Sequence, residues 1–327
     1  MQPPPELVKG WTAEQHRQAT AASFTDSATL SFALNGVSSA VLPSDRSRSP
    51  AIHREDIDSL SFEGLTAVGG LDISFRDSSG DEGIAVLAVL SFPDLKPLHT
   101  LTRRVDLSTT PYVHSYLSFR EADHYVSLLD ELRATPGAVM PQVLLVDGNG
   151  RWHPRQAGSA VAVGVKTGIP TIGIAKEYHP ISPSSILPPP PIEEPTLPFP
   201  TNYYSSQKSM RKACQVLLKK RGDWLGLLPP EQQVLPMGEV GKVAPEDNWG
   251  AALFSSPSRT ATNPIFVSSG HLLSLPMCVR VALACSKESK VPEPVRRADA
   301  VDTPSRAQPR YELALHDKAP TCNVSRH

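Results

Sequence analysis

The ten residues from Thr66 to Phe75, TAVGGLDISF, alternate in character: Leu71, Ile73 and Phe75 fall on one side of an extended chain, and Gly70, Asp72 and Ser74 on the other. That is the pattern of a strand with one apolar face. Two further runs, GIAVLAVLSFPDL and LHTLTRRVDL, follow across the turn-rich stretches RDSSGDEG and SFPDLKP. Short turns join antiparallel neighbours, so three antiparallel strands are expected. The period then changes. From Tyr116 to Leu132 apolar residues recur at Phe119, Ala122, Tyr125 or Val126, Leu129 and Leu132, the stripe of an amphipathic helix, which Pro136-Gly137 stops.

QVLLVD, residues 142 to 147, is apolar on both faces. This marks a central strand covered on both sides, most often a parallel one. SAVAVGVKTG reads as a small-residue helix ended by glycine and PTIGIA as another buried strand, and NPIFVSSGH is a late strand before a helix opening at Ser274 and Pro276. The expected fold is α/β: a mixed sheet of three antiparallel strands followed by parallel strands, with helices on both faces.

Residues 1–20 are taken as an N-terminal helix, and residues 21–60, which include the aperiodic SSAVLPSDRSRSPAIHRED, as a loosely ordered insertion. Residues 61–299 form one domain. Nine of the 21 positions from Pro180 to Pro200 are proline. Such a segment donates few backbone hydrogen bonds, so 180–205 is read as a surface excursion of that domain. Residues 300–327 are polar and without period, and a disordered tail is expected.

Composition narrows the function classes. With 32 basic and 33 acidic residues the net charge is −1, so attraction to a polyanion has to come from a local patch. One candidate is KSMRKACQVLLKKRGDW, residues 208–224, read as a helix with Met210, Ala213, Cys214 and Leu217 inward and Lys208, Arg211, Lys212, Lys219, Lys220 and Arg221 largely outward. Such a face is either simply solvated or a track for an anionic polymer. The four cysteines show no CxxC spacing and read as small core residues of a reducing compartment. IAVLAVLSF is too short to span a bilayer, and MQPPPELVKGW lacks the build of a signal peptide. An intracellular protein of cytoplasm or nucleus, without a membrane partner and monomeric, is expected.

The chemistry lies in carboxylates. Asp147 shares a face with Val143 and Leu145, and Asp72 sits inside a strand. An unpaired carboxylate near a core costs several kcal/mol, so each needs donors, a cation or a proton. Either aspartate alone is explained as a turn cap or a satisfied strand residue. With Glu121, early in the helix after the third strand, the set becomes three, and a hard divalent cation is the usual way to relieve three converging carboxylates.

VGGLDISF, PYVHSYLSFRE, PQVLLVDGNGRWHPR, TIGIAK and NPIFVSSGH, in that order, resemble the endonuclease V family, inosine-directed nucleases on an RNase H-like fold, over about residues 66–177 and 246–299. The resemblance implies that Asp72, Glu121 and Asp147 coordinate magnesium, or manganese in its place, with Lys176 near the scissile phosphate and His271 near the metal. It implies that Tyr112 wedges into the base stack and that His153 and Arg155 contact the substrate. Gly70 and Gly148 would let backbone approach a hypoxanthine edge. The implied reaction is metal-dependent hydrolysis of a phosphodiester 3′ to inosine in single-stranded RNA, in deaminated DNA, or in both. An alternative is a catalytically weak binding module for deaminated or structured nucleic acid, and a third reading is another RNase H-like nuclease. Three sites depart from the family: His114-Ser115 replaces Pro-Gly, which implies a different backbone in the wedge loop, Gln156 replaces a glycine, and Leu272 a basic residue.

Overall fold

The computed structural model describes residues 3–35, 40–41, 52–75, 80–181, 203–230, 247–258 and 263–300. The proline-rich excursion, apart from its two ends, and the expected tail lie outside these residues. Helix α1 (Pro5–Ala21) precedes four short strands, β1 (Ala33–Asn35), β2 (Ala40–Val41), β3 (Ile52–Arg54) and β4 (Ser61–Glu63). The three expected antiparallel strands follow as β5 (Ala67–Phe75), β6 (Glu82–Ser91) and β7 (Pro97–Asp106). Next come α2 (Ser118–Ala134), β8 (Val143–Asp147), α3 (Ser159–Thr167) and β9 (Thr171–Ala175). The rest comprises α4 (Gln207–Leu217), β10 (Asp223–Leu227), β11 (Gly250–Leu253), β12 (Ile265–His271), α5 (Leu275–Ala284) and α6 (Glu293–Ala300).

Among the described residues ten strands form one sheet in the order β2-β3-β10-β11-β12-β9-β8-β5-β6-β7, while β1 and β4 make a separate ribbon. Strand β8 is flanked by β5 and β9, both parallel to it, which is why its sequence is apolar on both faces. Val143 and Leu145 pack with Leu275, Val279 and Leu283 of α5 and Val295 of α6. Leu144 and Val146 pack with Leu128, Leu129 and Leu132 of α2 and with Ala160 and Val163 of α3. Each buried aliphatic side chain contributes about 2 kcal/mol. A slip of one residue would exchange the two faces, so the packing holds the register that places Asp147.

Two expectations are corrected. The stretch expected to be loose over 21–60 supplies β1 and β3 among its described residues; β3 pairs with β10, Phe32 and Ile52 are buried, and the His53 ring stacks on Trp224 with centroids 4.0 Å apart. Isolated apolar residues of this kind have no local period, because their partners are far away in sequence. The basic helix also ends sooner than residue 224. Asp223, fully buried, accepts from the backbone N–H groups of Lys219 and Lys220, each at 2.8 Å, and pairs with Arg54, which turns the chain into β10. Arg221 is turned inward and donates to the carbonyls of Ser255, Leu283 and Ser286. Lys208, Arg211, Lys212, Lys219 and Lys220 are exposed. Cys214, Cys278 and Cys285 are buried free thiols. Among the described residues no helix is long and apolar enough to cross a membrane.

Candidate active site

Strands β5 and β8 lie in register with Leu71 beside Val146, so the next residues, Asp72 and Asp147, leave neighbouring strands on the same face. They are close enough to share a hydrogen bond. Asp72 is only 6% exposed. Burial, then the Asp147 carboxylate and that shared hydrogen bond, push Asp72 up to about 7, against the pull of Lys176. Glu121 enters from α2 and is 4% exposed, with its Oε2 accepting from the Ser159 hydroxyl at 3.1 Å. Burial, helped by the charges of Asp147 and Asp72, pushes Glu121 up to about 8 despite the Ser159 hydrogen bond and Arg120.

Lys176, just past the end of β9, sends its ammonium to Asp147 at 2.8 Å and to Asp299 of α6 at 2.8 Å. Burial lowers its proton affinity, but Asp147 and Asp299 together more than reverse this, so Lys176 stays charged. Asp299 carries no local sequence signal, since it sits in the polar run PVRRADA and reaches the site only because α6 folds back over β5. Tyr125 was legible only as one of two candidates for an apolar stripe position. Its buried phenol lies within electrostatic range of the acidic centre, with its pKa raised by burial and then by Glu121, Asp72 and Asp147.

The donor chemistry fits a hard divalent cation. Asp72 and Asp147 present carboxylates side by side, and burial, reinforced by the neighbouring carboxylate charges, pushes Asp72 and Glu121 toward the protonated form near neutral pH, a penalty that a cation would relieve. The fit is in pairs rather than as a closed triad. Among the described residues no three His, Cys, Asp or Glu side chains are gathered closely enough to hold an ion as they stand. Glu121 is turned to Ser159, and the Lys176 ammonium reaches into the acidic centre.

The remaining expected residues fall around this centre in different ways. Tyr112 projects with 63% of its surface exposed. His153 and Arg155 are engaged within the fold: the carbonyl of Ser115 accepts from His153 Nε2 at 2.9 Å and from Arg155 Nη2 at 2.8 Å. His153 Nδ1 accepts from the backbone N–H of Arg155, and burial, then the Arg155 charge, lower His153 to about 4, so the ring is neutral. Gly70 faces the chain itself, because a Cβ there would stand 2.0 Å from the Pro294 carbonyl oxygen of α6. Gly148 has φ +122°, and a Cβ there would meet only Ser159, in ordinary van der Waals contact at 3.9 Å. Of the two, only Gly148 offers room for a ligand. His271 follows a bulge between Ser269 and His271. Its Nδ1 accepts from the Ser23 N–H at 3.2 Å, and it makes no hydrogen bond or ion pair with Asp72, Glu121 or Asp147. Burial lowers its pKa.

The departures at residues 115 and 156 share a cause. Ser115 has φ +67° and Gln156 φ +53°, the left-handed region that favours glycine. Both side chains are therefore carried on a backbone conformation that glycine adopts without strain.

A carboxylate pair on adjacent parallel strands, Asp72 buried within β5 and Asp147 partly exposed at the end of β8, backed by a third carboxylate and a lysine on a mixed sheet opening with three antiparallel strands, defines an RNase H-like nuclease. A family model described as Endonuclease V matches residues 50–300. Human endonuclease V is 37% identical over 239 residues, covering 73% of this chain and 71% of the human protein. The Roseiflexus castenholzii endonuclease V is 31% identical, covering 75% and 85%. The chain therefore belongs to the endonuclease V family and is an endonuclease. The crystal structure of the catalytic domain of human endonuclease V superposes with a TM-score of 0.65 at 32% identity, covering 91% of this chain and 94% of that one. A Ciona intestinalis endonuclease V, solved with a 23-mer DNA containing an inosine followed by a ribo-adenosine, shares the fold with a TM-score of 0.63 at 24% identity, covering 91% and 95%.

Proposed function

We propose that this endonuclease hydrolyses a phosphodiester bond 3′ to inosine in single-stranded RNA or DNA, leaving 3′-hydroxyl and 5′-phosphate ends, with magnesium as cofactor and manganese able to replace it. The observation that carries the reading is the Asp72–Asp147 pair, with Glu121 within electrostatic range and Lys176 at its edge. A protein that only bound nucleic acid would gain nothing from negative charge facing a phosphate. Inosine as the target rests on the family and on the Ciona relative, which is solved with inosine-containing DNA.

Asp72 and Asp147 would hold the cation, with Glu121 adding charge behind them. When bound, the ion would activate water and offset charge on the phosphate oxygens. Lys176, kept protonated by two carboxylates, serves as a fixed positive charge for the phosphate and is a poor proton donor. Tyr112, exposed and unobstructed, replaces the stacking lost when a base leaves the strand. At Gly148 a side chain would meet only Ser159, at 3.9 Å, so the turn after β8 leaves room for a base to approach, while the Gly148 N–H itself is donated to the Ile174 carbonyl at 3.0 Å.

The test uses matched single strands of RNA and DNA, with and without one inosine, in magnesium or EDTA, cut by wild type and by Asp72→Ala. Cutting that needs inosine, metal and Asp72 is expected. Metal-independent cutting, or equal cutting by Asp72→Ala, would overturn the metal assignment, and equal cutting of inosine-free strands would overturn the substrate.

A further inference from the structure

Helix α1 lies before the part of the chain that matches the family model, residues 50–300, yet it is tied to the loop that carries Tyr112. Gln15 is fully buried. Its Nε2 donates to the Ser115 carbonyl at 3.0 Å and to the Ala157 carbonyl at 3.2 Å, and its Oε1 accepts from Arg155 Nε. With His153 and Arg155, Gln15 brings to three the donors on the single Ser115 oxygen. A carbonyl has two lone pairs, so three converging donors, one of them charged, saturate it and leave it no competing partner. Ser115 has φ +67°, a conformation that costs a non-glycine residue about 1 kcal/mol and persists only where the surroundings impose it.

The same face of α1 also clamps the chain just beyond Ser115. Trp11 stacks on Phe119 with ring centroids 4.9 Å apart and planes 9° from parallel. Thr12 Oγ1 meets the Tyr116 hydroxyl at 2.6 Å, and the Arg155 guanidinium lies 4.1 Å from the centre of the Tyr116 ring. Tyr112, three residues before Ser115, is itself exposed. Its placement is therefore set by how Ser115 is held. On the other side of Gln15, Ala157 leads in two residues to Ser159, which binds Glu121.

We propose that Gln15 is a positioning and specificity-determining residue: it joins the Tyr112 loop to the His153–Arg155 loop through the Ser115 carbonyl and so sets how the Tyr112 ring meets the substrate strand. This rests on the reading of Tyr112 as the residue that enters the base stack. It makes α1 part of substrate recognition rather than an appendage of the fold.

A double-mutant cycle tests it. Gln15→Leu, which keeps volume and removes both donors, is compared with wild type in two backgrounds, native Tyr112 and Tyr112→Ala, by kcat and KM on an inosine-containing single strand, with unfolding midpoints recorded alongside. In the native background kcat/KM should fall by about tenfold, the scale of losing one firm polar contact. With Tyr112→Ala the further loss should be under about twofold, because the element being positioned is already gone. Equal losses in both backgrounds would mean a general structural role and would overturn the proposal, as would no loss in either. Should Gln15→Leu fail to fold, Gln15→Glu serves in the same cycle, since it keeps an acceptor for Arg155 but faces the Ser115 carbonyl with oxygen. A wild type that does not prefer inosine over adenosine strands would remove the underlying reading of Tyr112; inosine preference together with additive losses would remove only the role of Gln15.

Discussion

Replacing Asp72 by asparagine should stabilise the metal-free protein while abolishing cutting. Burial and the neighbouring Asp147 raise Asp72 from its ordinary 3.8 to about 7. That span is about three decades, and at about 1.4 kcal/mol each, ionising this side chain costs the folded state about 4 kcal/mol at pH 8. The sign follows from which state holds the proton more tightly. The folded state does, so the contribution of Asp72 to stability is fully present below about pH 4, is lost at up to about 1.4 kcal/mol per pH unit as pH rises, and levels off above about 7. Asparagine has the same shape, cannot ionise, and can donate to Asp147. Allowing for relaxation of the site, Asp72→Asn should exceed wild type by about 2–4 kcal/mol at pH 8, and by only about 1–2 kcal/mol at pH 5. Urea unfolding of both proteins in EDTA at pH 5, 6, 7 and 8 measures this directly. Magnesium at pH 8 should raise the stability of wild type and leave Asp72→Asn nearly unmoved, because a ligand that binds only the folded state stabilises by mass action. An asparagine variant no more stable than wild type at pH 8, or one whose advantage is the same at pH 5, would refute the crowded-carboxylate reasoning.

Four further outcomes follow from the same geometry. Lys176→Met removes the ammonium shared by Asp147 and Asp299; single-turnover assays should show at least a hundredfold slower cutting, with a loss of about 1 kcal/mol in stability at pH 8 because the pair is partly solvated. Tyr112→Ala, at a site 63% exposed, should change stability by no more than about 0.5 kcal/mol while lowering kcat/KM on inosine-containing strands. Joint replacement of the exposed Lys208, Arg211 and Lys212 by glutamate should flatten the salt dependence of kcat/KM if α4 lies along the strand's path, and an unchanged slope would mean a merely solvated face. Ser115→Gly should raise the unfolding free energy by about 1 kcal/mol by relieving the left-handed strain, and a destabilised Ser115→Gly would show that the serine hydroxyl, not the backbone, holds the turn.

Much of this protein was written locally. The alternation in TAVGGLDISF, the stripe of α2 and the doubly apolar QVLLVD specify β5, α2 and β8, because side-chain direction repeats every two residues in a strand and every 3.6 in a helix. The parity of those same strands puts Asp72 and Asp147 on one face, so the core of the site was legible once the strands were expected to be neighbours. Tertiary structure decided the rest. It turned Glu121 toward Ser159, aimed His153 and Arg155 at Ser115, set Gly70 against α6, and brought Asp299 and Gln15 to the places where they act. None of these contacts has a period or a fixed spacing. Each pairs residues that meet only because the tertiary fold sets α1 against α3 and α6 over β5, and a linear pattern carries no record of that distance.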